Sequence, residues 1–274
     1  MSFALPARLR PGLLLCLAML LPACQGQIPP KSAAYGRDPA QSLDIYMPGK
    51  GDSPHPVVIL IHGGAYLEGD KRDFADIARG LADQGWVAIS LNYRLTTTGA
   101  TWPDIRNDII DATQWVGHHA DDLHIDRNRV TIMGASAGGQ LAAWMATTDY
   151  ISKDQIHTRP KCLIDIAGPW DFTATGDVSE PAQTAINRLI AGGDPKAASP
   201  LFLIDSATSA TLLIHGTHDD TVSINQSRMA YARLQAAHVR ATLLELPGEG
   251  HMAIKTDANK QLFSNTLTSF IRTC

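Results

Sequence analysis

The residues of this chain best suited to chemistry are one serine, a pair of adjacent aspartates and one histidine. Ser136 lies within Gly134-Ala135-Ser136-Ala137-Gly138, between the apolar run Val130–Met133 and a stretch of helical spacing. A strand that turns sharply into a helix needs neighbours without bulk, and such a corner lifts the hydroxyl out of the sheet. The helix N-terminus adds free N–H groups and the positive end of its dipole at the same point. A lone G-x-S-x-G match arises by chance in many chains, because Gly and Ala are common at tight turns. A serine hydroxyl is also a feeble nucleophile unless a base takes its proton and a carboxylate orients that base. Asp219 and Asp220 in HGTHDDTV, and His251 in PGEGHMA, each follow an apolar run, and the order is serine, acid, histidine. A fourth element, HGGAY at residues 62–66, follows the run VVILI, and its small residues would let backbone N–H groups approach a developing negative charge.

These groups need a scaffold that gathers them. The segments HPVVILIHGG, GWVAISLNYRL, RVTIMGAS, KCLIDIAGPWD, ATLLIHGTHDD and RATLLELPGEGH are short apolar runs with β-branched content, closed by Gly, Pro or Asp. Continuous apolar runs fit strands covered on both faces. Between them DFADIARGLADQ, DIRNDIIDATQWVGHHA, QLAAWMATTDY and INQSRMAYARLQAAH carry apolar residues at helical spacing. The alternation predicts an α/β fold with a mostly parallel central sheet and helices on both faces, whose chemistry sits beyond the carboxyl ends of the strands. SLDIYMP alternates as an edge strand would. Residues 172–209 break the pattern, with one helix in PAQTAINRLIAG, and read as a small cap in a single domain spanning 41–274.

The N-terminus reads as a targeting segment. Arg8 and Arg10 precede LLLCLAMLL, which is too short for a stable membrane span, so residues 1–23 are expected to be an export signal. The run ends in LPAC, similar to a bacterial lipobox although Pro22 is unusual there; Cys24 would then be lipidated and hold the protein at a membrane, the alternative being plain cleavage nearby. Residues 24–40 read as a polar, proline-bearing linker. Loss of Arg8 and Arg10 takes the formal charge from −4 to −6. An acidic exported domain is a poor partner for nucleic acid. With Cys16 and Cys24 in the signal region, Cys162 and Cys274 remain, either paired in an oxidising compartment or with Cys162 free and buried.

Other residues have structural readings. His62 and His215, each before a glycine at a strand end, are expected to brace loops. HHADDLHID, residues 118–126, has no defined ligand spacing and reads as a solvated loop, so neither metal nor cofactor is expected. Tyr66 is placed to line the site, Trp86, Trp115 and Trp144 to pack the core, and Trp170, beside Asp171 on the catalytic side, to form either pocket wall or core.

Over roughly residues 40–272, LDIYMP, HGGAY, NYRL, GASAGG, HGTHDDTV and GEGH resemble, in order, the α/β-hydrolases of the hormone-sensitive-lipase and bacterial carboxylesterase group, with its smaller feruloyl or acetylxylan esterase-like relatives. The resemblance implies Ser136 as nucleophile, His251 as base, and oxyanion N–H groups from Gly64, Ala65 and Ala137. The pattern H-G-x-x-D-x-x-V fits Asp219 as the acid, with Asp220 its competitor. Ala65 departs from the third glycine of many relatives, which bears on the acyl pocket more than on a backbone donor. The implied activity is cofactor-independent hydrolysis of small or polysaccharide-borne carboxylic esters outside the cytoplasm. Two rival readings are an amidase or peptidase on the same fold, whose oligopeptide-cleaving relatives usually carry a further large domain, and an inactive binding protein, which would commonly lack a member of the constellation.

Overall fold

Strand residues of alternating parity face opposite sides of a sheet, so an unbroken apolar run requires a layer on each side. In the computed structural model, which describes residues 29–49, 53–148, 159–252 and 254–274, that condition is met. The expected signal at 1–23 and Cys24 lie outside the described residues. In β3 (His55–Ile61) Val57, Ile59 and Ile61 enter one core, and Val58 and Leu60 enter the other. All five are fully buried, and each such side chain contributes about 1.5–3 kcal/mol through removal from water.

The sheet order is β1-β2-β4-β3-β5-β6-β7-β8, with β1 Lys31–Ala34, β2 Ser42–Tyr46, β4 Val87–Leu91, β5 Ile125–Ala135, β6 Cys162–Ile166, β7 Ala210–Gly216 and β8 Ala241–Leu246. β3 to β8 run parallel, whereas β1–β2 and β2–β4 are antiparallel. Helices α2 (Trp102–His118), α3 (Ala137–Thr147), α4 (Glu180–Ile190) and α5 (Asn225–Ala236) contribute to one core; α1 (Ala75–Asp83) and α6 (Asp257–Ile271) contribute to the other. In α6, Phe263, Leu267 and Phe270 recur at helical spacing and are buried. No described helix is long and apolar enough to cross a membrane.

Two expectations change. SLDIYMP is not at the sheet edge, because Lys31–Ala34, inside the stretch read as linker, pairs with it from Lys31↔Ile45 to Ala34↔Ser42. The side chains of β1 are mostly exposed and so leave no periodic trace. Its hold comes from backbone pairing, from the Ser32 hydroxyl donating to Asp44 at 2.5 Å, and from the nearby Tyr35 hydroxyl donating to Asn92 O at 2.6 Å. Second, Cys162 is not a free thiol: it is disulfide-bonded to Cys274, with Cα atoms 5.8 Å apart.

Residues 172–209 contain α4 and two short 3-10 turns, Pro195–Ala198 and Pro200–Leu203. Ser179 caps α4, accepting from the Ala182 amide. The segment is joined to the strand ends by Arg188 donating to Thr96 O at 2.8 Å, Gln140 donating to Ala198 O at 2.6 Å, and a bridge between Val178 and Val222.

The disulfide ties the end of the chain, just past α6, to the start of β6 across 112 residues of sequence. Cys274→Ser is expected to lower unfolding stability by roughly 2–5 kcal/mol, since the cross-link restricts the unfolded chain. Urea titration with and without dithiothreitol checks this: reductant should lower the wild-type midpoint toward that of the variant and leave the variant unmoved.

Candidate active site

β5 ends at Ala135 and α3 begins at Ala137, so Ser136 alone makes the reversal, at φ 54° and ψ −121°. A non-glycine residue with such dihedrals costs of order 1–3 kcal/mol and persists only where its surroundings over-determine it. Here the Ser136 amide donates to Ile166 O of β6 at 2.8 Å, and Ser136 O accepts from the Gln140 amide at 3.1 Å. The approach is so close that a Cβ on Gly134 would lie 2.0 Å from Gly138 O, and one on Gly138 would lie 2.1 Å from Ile61 O. Both glycines of the G-x-S-x-G stretch are therefore steric necessities.

His251 and Asp219 meet this corner from the ends of β8 and β7. His251 Nε2 lies 2.9 Å from Ser136 Oγ, and His251 Nδ1 lies 2.6 Å from Asp219 Oδ2. Nδ1–H faces a carboxylate, so the neutral ring presents the Nε2 lone pair to the serine hydroxyl. The Asp219 side chain is fully buried. Its Oδ1 accepts from the amides of Thr221 and Val222, each at 2.9 Å. Its Oδ2 also lies 3.1 Å from His215 Nε2. Burial by itself would raise the Asp219 pKa, but hydrogen bonds from His215 and His251, the charge of protonated His251, and the Val222 amide hold it well below the usual carboxylate range. Asp220 is exposed and, among the described residues, meets only the Thr221 hydroxyl, at 3.4 Å. Of the two aspartates, the structure brings Asp219 to the histidine.

The loop after β3 supplies backbone donors. Gly64, Ala65 and Tyr66 all adopt positive φ, at 106°, 53° and 61°. Gly64 O accepts from the amides of Leu67 and Glu68, and no acceptor among the described residues meets the Gly64 or Ala65 amide. The Ala137 amide opens α3 and has no acceptor within the helix. A Cβ on Gly63 would lie 2.8 Å from Ala135 O and 3.2 Å from Ser136 Cβ, so this loop rests directly on the serine corner. A serine backed by an imidazole and a buried carboxylate is equipped to attack a carbonyl, and free amides on an adjoining loop and helix start are of the kind that hold an oxyanion.

His62 braces that loop. Its Nδ1 lies 2.8 Å from Gly63 O, its ring stacks on Tyr93 at 4.3 Å, and the Tyr93 hydroxyl donates to His62 O at 3.0 Å. Burial lowers the His62 pKa, favouring the neutral ring. His215 braces more than a loop: Nε2 lies 2.9 Å from Val222 O as well as beside Asp219, and Nδ1 lies 2.7 Å from Ser227 Oγ. That second contact of His215, with the acid itself, was not legible in the sequence, since a histidine before a glycine carries no trace of its partners.

Tyr66 does not line the site. It is 2% exposed, and its hydroxyl donates to Gln140 Oε1 at 3.0 Å, which couples the loop to α3. Trp170 is core, fully buried, with Nε1 donating to Asp165 Oδ2 at 2.8 Å. Asp171 holds the following turn through the amide and hydroxyl of Thr173. Trp86 and Trp144 are buried, Trp144 edge-on to Trp102, while half-buried Trp115 stacks on His119. Of residues 118–126, 119–124 form the turn between α2 and β5, with Ala120 and Leu123 buried and Asp121 exposed and paired with Arg127 at 2.7 Å. Asp165 was missed by sequence reasoning, although a carboxylate inside the apolar run CLIDIAG is a signal in itself. Burial pushes its pKa up to about 6 against hydrogen bonds from Trp170 and the Gly168 amide.

Comparison with known proteins agrees with this architecture. Esterase LipC of Mycobacterium tuberculosis is 32% identical over 242 residues, 79% of this chain and 58% of its own length. A probable carboxylic ester hydrolase of the same organism, LipM, is 30% identical over 234 residues, 79% of this chain and 54% of its own. The chain thus spans little more than half the length of these curated relatives. A solved structure described as a truncated carbohydrate esterase from gut microbiota superposes with a TM-score of 0.74 at 25% identity, covering 90% of this chain and all of that one. The BD-FAE family profile matches residues 43–234, and on that match, together with its eight-stranded, mostly parallel sheet, the chain belongs to the BD-FAE family of α/β-hydrolase proteins.

Proposed function

We propose that this protein hydrolyses carboxylic esters through a covalent acyl-serine at Ser136. The observation that carries the reading is the unbroken relay from buried Asp219 through His251 to Ser136 Oγ, at 2.6 and 2.9 Å, and the amides of Gly64, Ala65 and Ala137 are assigned as the oxyanion donors. His251 Nε2 takes the hydroxyl proton as Ser136 Oγ attacks the acyl carbon, and the oxyanion is held by the three amides. The C–O bond to the alcohol breaks, and the alcohol leaves with the proton from His251. Water then attacks the acyl-serine, giving its proton to His251, and Ser136 recovers that proton as the carboxylic acid departs. Asp219 keeps the imidazole in the required tautomer and offsets the charge it acquires.

The names of the relatives, an esterase and a probable carboxylic ester hydrolase, support ester over amide substrates. The likeness to a carbohydrate esterase supports small acyl groups borne on carbohydrate as well as small free esters. The segment 172–209, joined to the loops after β4 and β7, is proposed as the cap over the site. The protein is proposed to act outside the cytoplasm after removal of residues 1–23, with attachment to a membrane if Cys24 is lipidated. The disulfide supports an oxidising compartment. No bound metal or cofactor enters the scheme.

Ser136→Ala is expected to retain its fold and lose about 10⁴-fold or more in turnover of p-nitrophenyl acetate, since the three groups act as a unit. Asp219→Asn should cost up to about 10⁴-fold in kcat by favouring the wrong imidazole tautomer; Asp220→Asn should stay close to wild type. Circular dichroism alongside initial rates checks both, and the reverse ranking of the two aspartates would transfer the acid role. EDTA is expected to leave initial rates unchanged, since the scheme invokes no metal-bound water.

A further inference from the structure

The loop that carries His251 is held by a buried carboxylate with no catalytic contact of its own. Glu249, two residues before His251, is 2% exposed. Its Oε2 accepts from the Lys255 amide at 2.9 Å. Its Oε1 accepts from the Thr256 amide at 3.1 Å, the Thr256 hydroxyl at 3.2 Å and Asn259 Nδ2 at 2.7 Å. Asn259 Nδ2 also lies 3.0 Å from Pro247 O. The chain is thus fastened from both sides of His251 to the first turn of α6.

The backbone of the same residue reaches the acid. Glu249 O accepts from the His218 amide at 2.8 Å, one residue before Asp219. It is seated so closely on the end of β7 that a Cβ on Gly216 would lie 2.3 Å from it. Capping of α6 does not account for the arrangement, because Thr256 already caps that helix by accepting from the Asn259 amide at 3.2 Å. Four donors surround the side chain, which accordingly stays ionised, its pKa held down to about 2 by the hydrogen bonds in spite of burial. A neutral amide would turn its NH₂ toward one or more of those donors.

We propose that Glu249 is a positioning residue for the relay, fixing the His251 loop against α6 and against the loop of Asp219 so that both imidazole distances hold at once. This rests on the ester-hydrolase reading given above. Misplacement of a catalytic group by about 1 Å can cost roughly 100-fold in rate. The role therefore predicts loss in kcat rather than in substrate affinity.

The test uses the whole protein with p-nitrophenyl acetate, at a temperature well below the unfolding transition of each variant. Active sites are counted by exhaustive titration with a fluorophosphonate. Glu249→Gln and Asn259→Leu are compared with wild type and with Ser136→Ala. Glu249→Gln is expected to lower kcat per titrated site by roughly 10–100-fold with KM within about twofold, and Asn259→Leu to act in the same direction more weakly. Wild-type kcat per titrated site in Glu249→Gln, with activity lost only through fewer titratable molecules, would reduce Glu249 to a structural element and overturn the proposal. If that variant does not fold, Asn259→Leu decides by the same criterion. Retained turnover in Ser136→Ala would overturn the functional reading and this proposal with it, whereas an inert Ser136→Ala beside a fully active Glu249→Gln would overturn the positioning role alone.

Discussion

A single serine held at φ 54° is the constraint on which the rest of this protein depends. The corner aims a hydroxyl away from the sheet and places it at a helix N-terminus, but its backbone is unfavourable for any residue with a Cβ. The surrounding sheet offsets the cost. Ile166 of β6 takes the Ser136 amide, the end of β3 closes against Gly138, and Gly63 closes against Ala135 and Ser136. Three adjacent parallel strands must all be in register for these contacts to form. The site is therefore a property of the sheet rather than of its own five residues.

Parallel strands bring their carboxyl ends to one edge, so residues separated by 115 positions, Ser136 and His251, become hydrogen-bonded neighbours. What happens at that edge is largely loop tied to loop. Tyr93 holds His62, His62 holds Gly63, and Tyr66 holds Gln140, which in turn holds Ala198 in segment 172–209. On the other side Asp219 holds the turn of Thr221 and Val222, and the Val222 strand bridge joins that turn to Val178. Few of these contacts are large individually, at about 0.5–1.5 kcal/mol net each, but a buried group left without its partner would cost more than the bond it lost.

Two buried carboxyls, Asp165 on β6 and Asp219 in the loop after β7, show how donor count moves a pKa. Asp165 receives one indole and one amide hydrogen bond, and burial prevails, with its pKa pushed up to about 6. Asp219 receives two amides and two imidazoles, and its pKa falls below the usual range although its side chain is equally inaccessible. More donors hold Asp219 in its charged form, whereas for Asp165 the cost of burial exceeds what its two donors return.

The sequence by itself determined the fold class, the six parallel strands, five of the helices and the four groups at the site, because each rests on a local rule: apolar parity, helical spacing, or small residues at a corner. Even the order of serine, aspartate and histidine is a one-dimensional property. It left β1 unseen, since a strand whose side chains are mostly exposed carries no apolar period, and it left Cys162 and Cys274 undecided, since pairing needs Cα atoms within about 7 Å, a condition no spacing along the chain expresses. Only the tertiary structure chose Asp219 over its neighbour by geometry, moved Tyr66 and Trp170 into the core, and surrounded His215 and Glu249 with the partners that give them meaning. Those decisions concern distances between residues far apart in sequence, and such distances exist only once the sheet has folded.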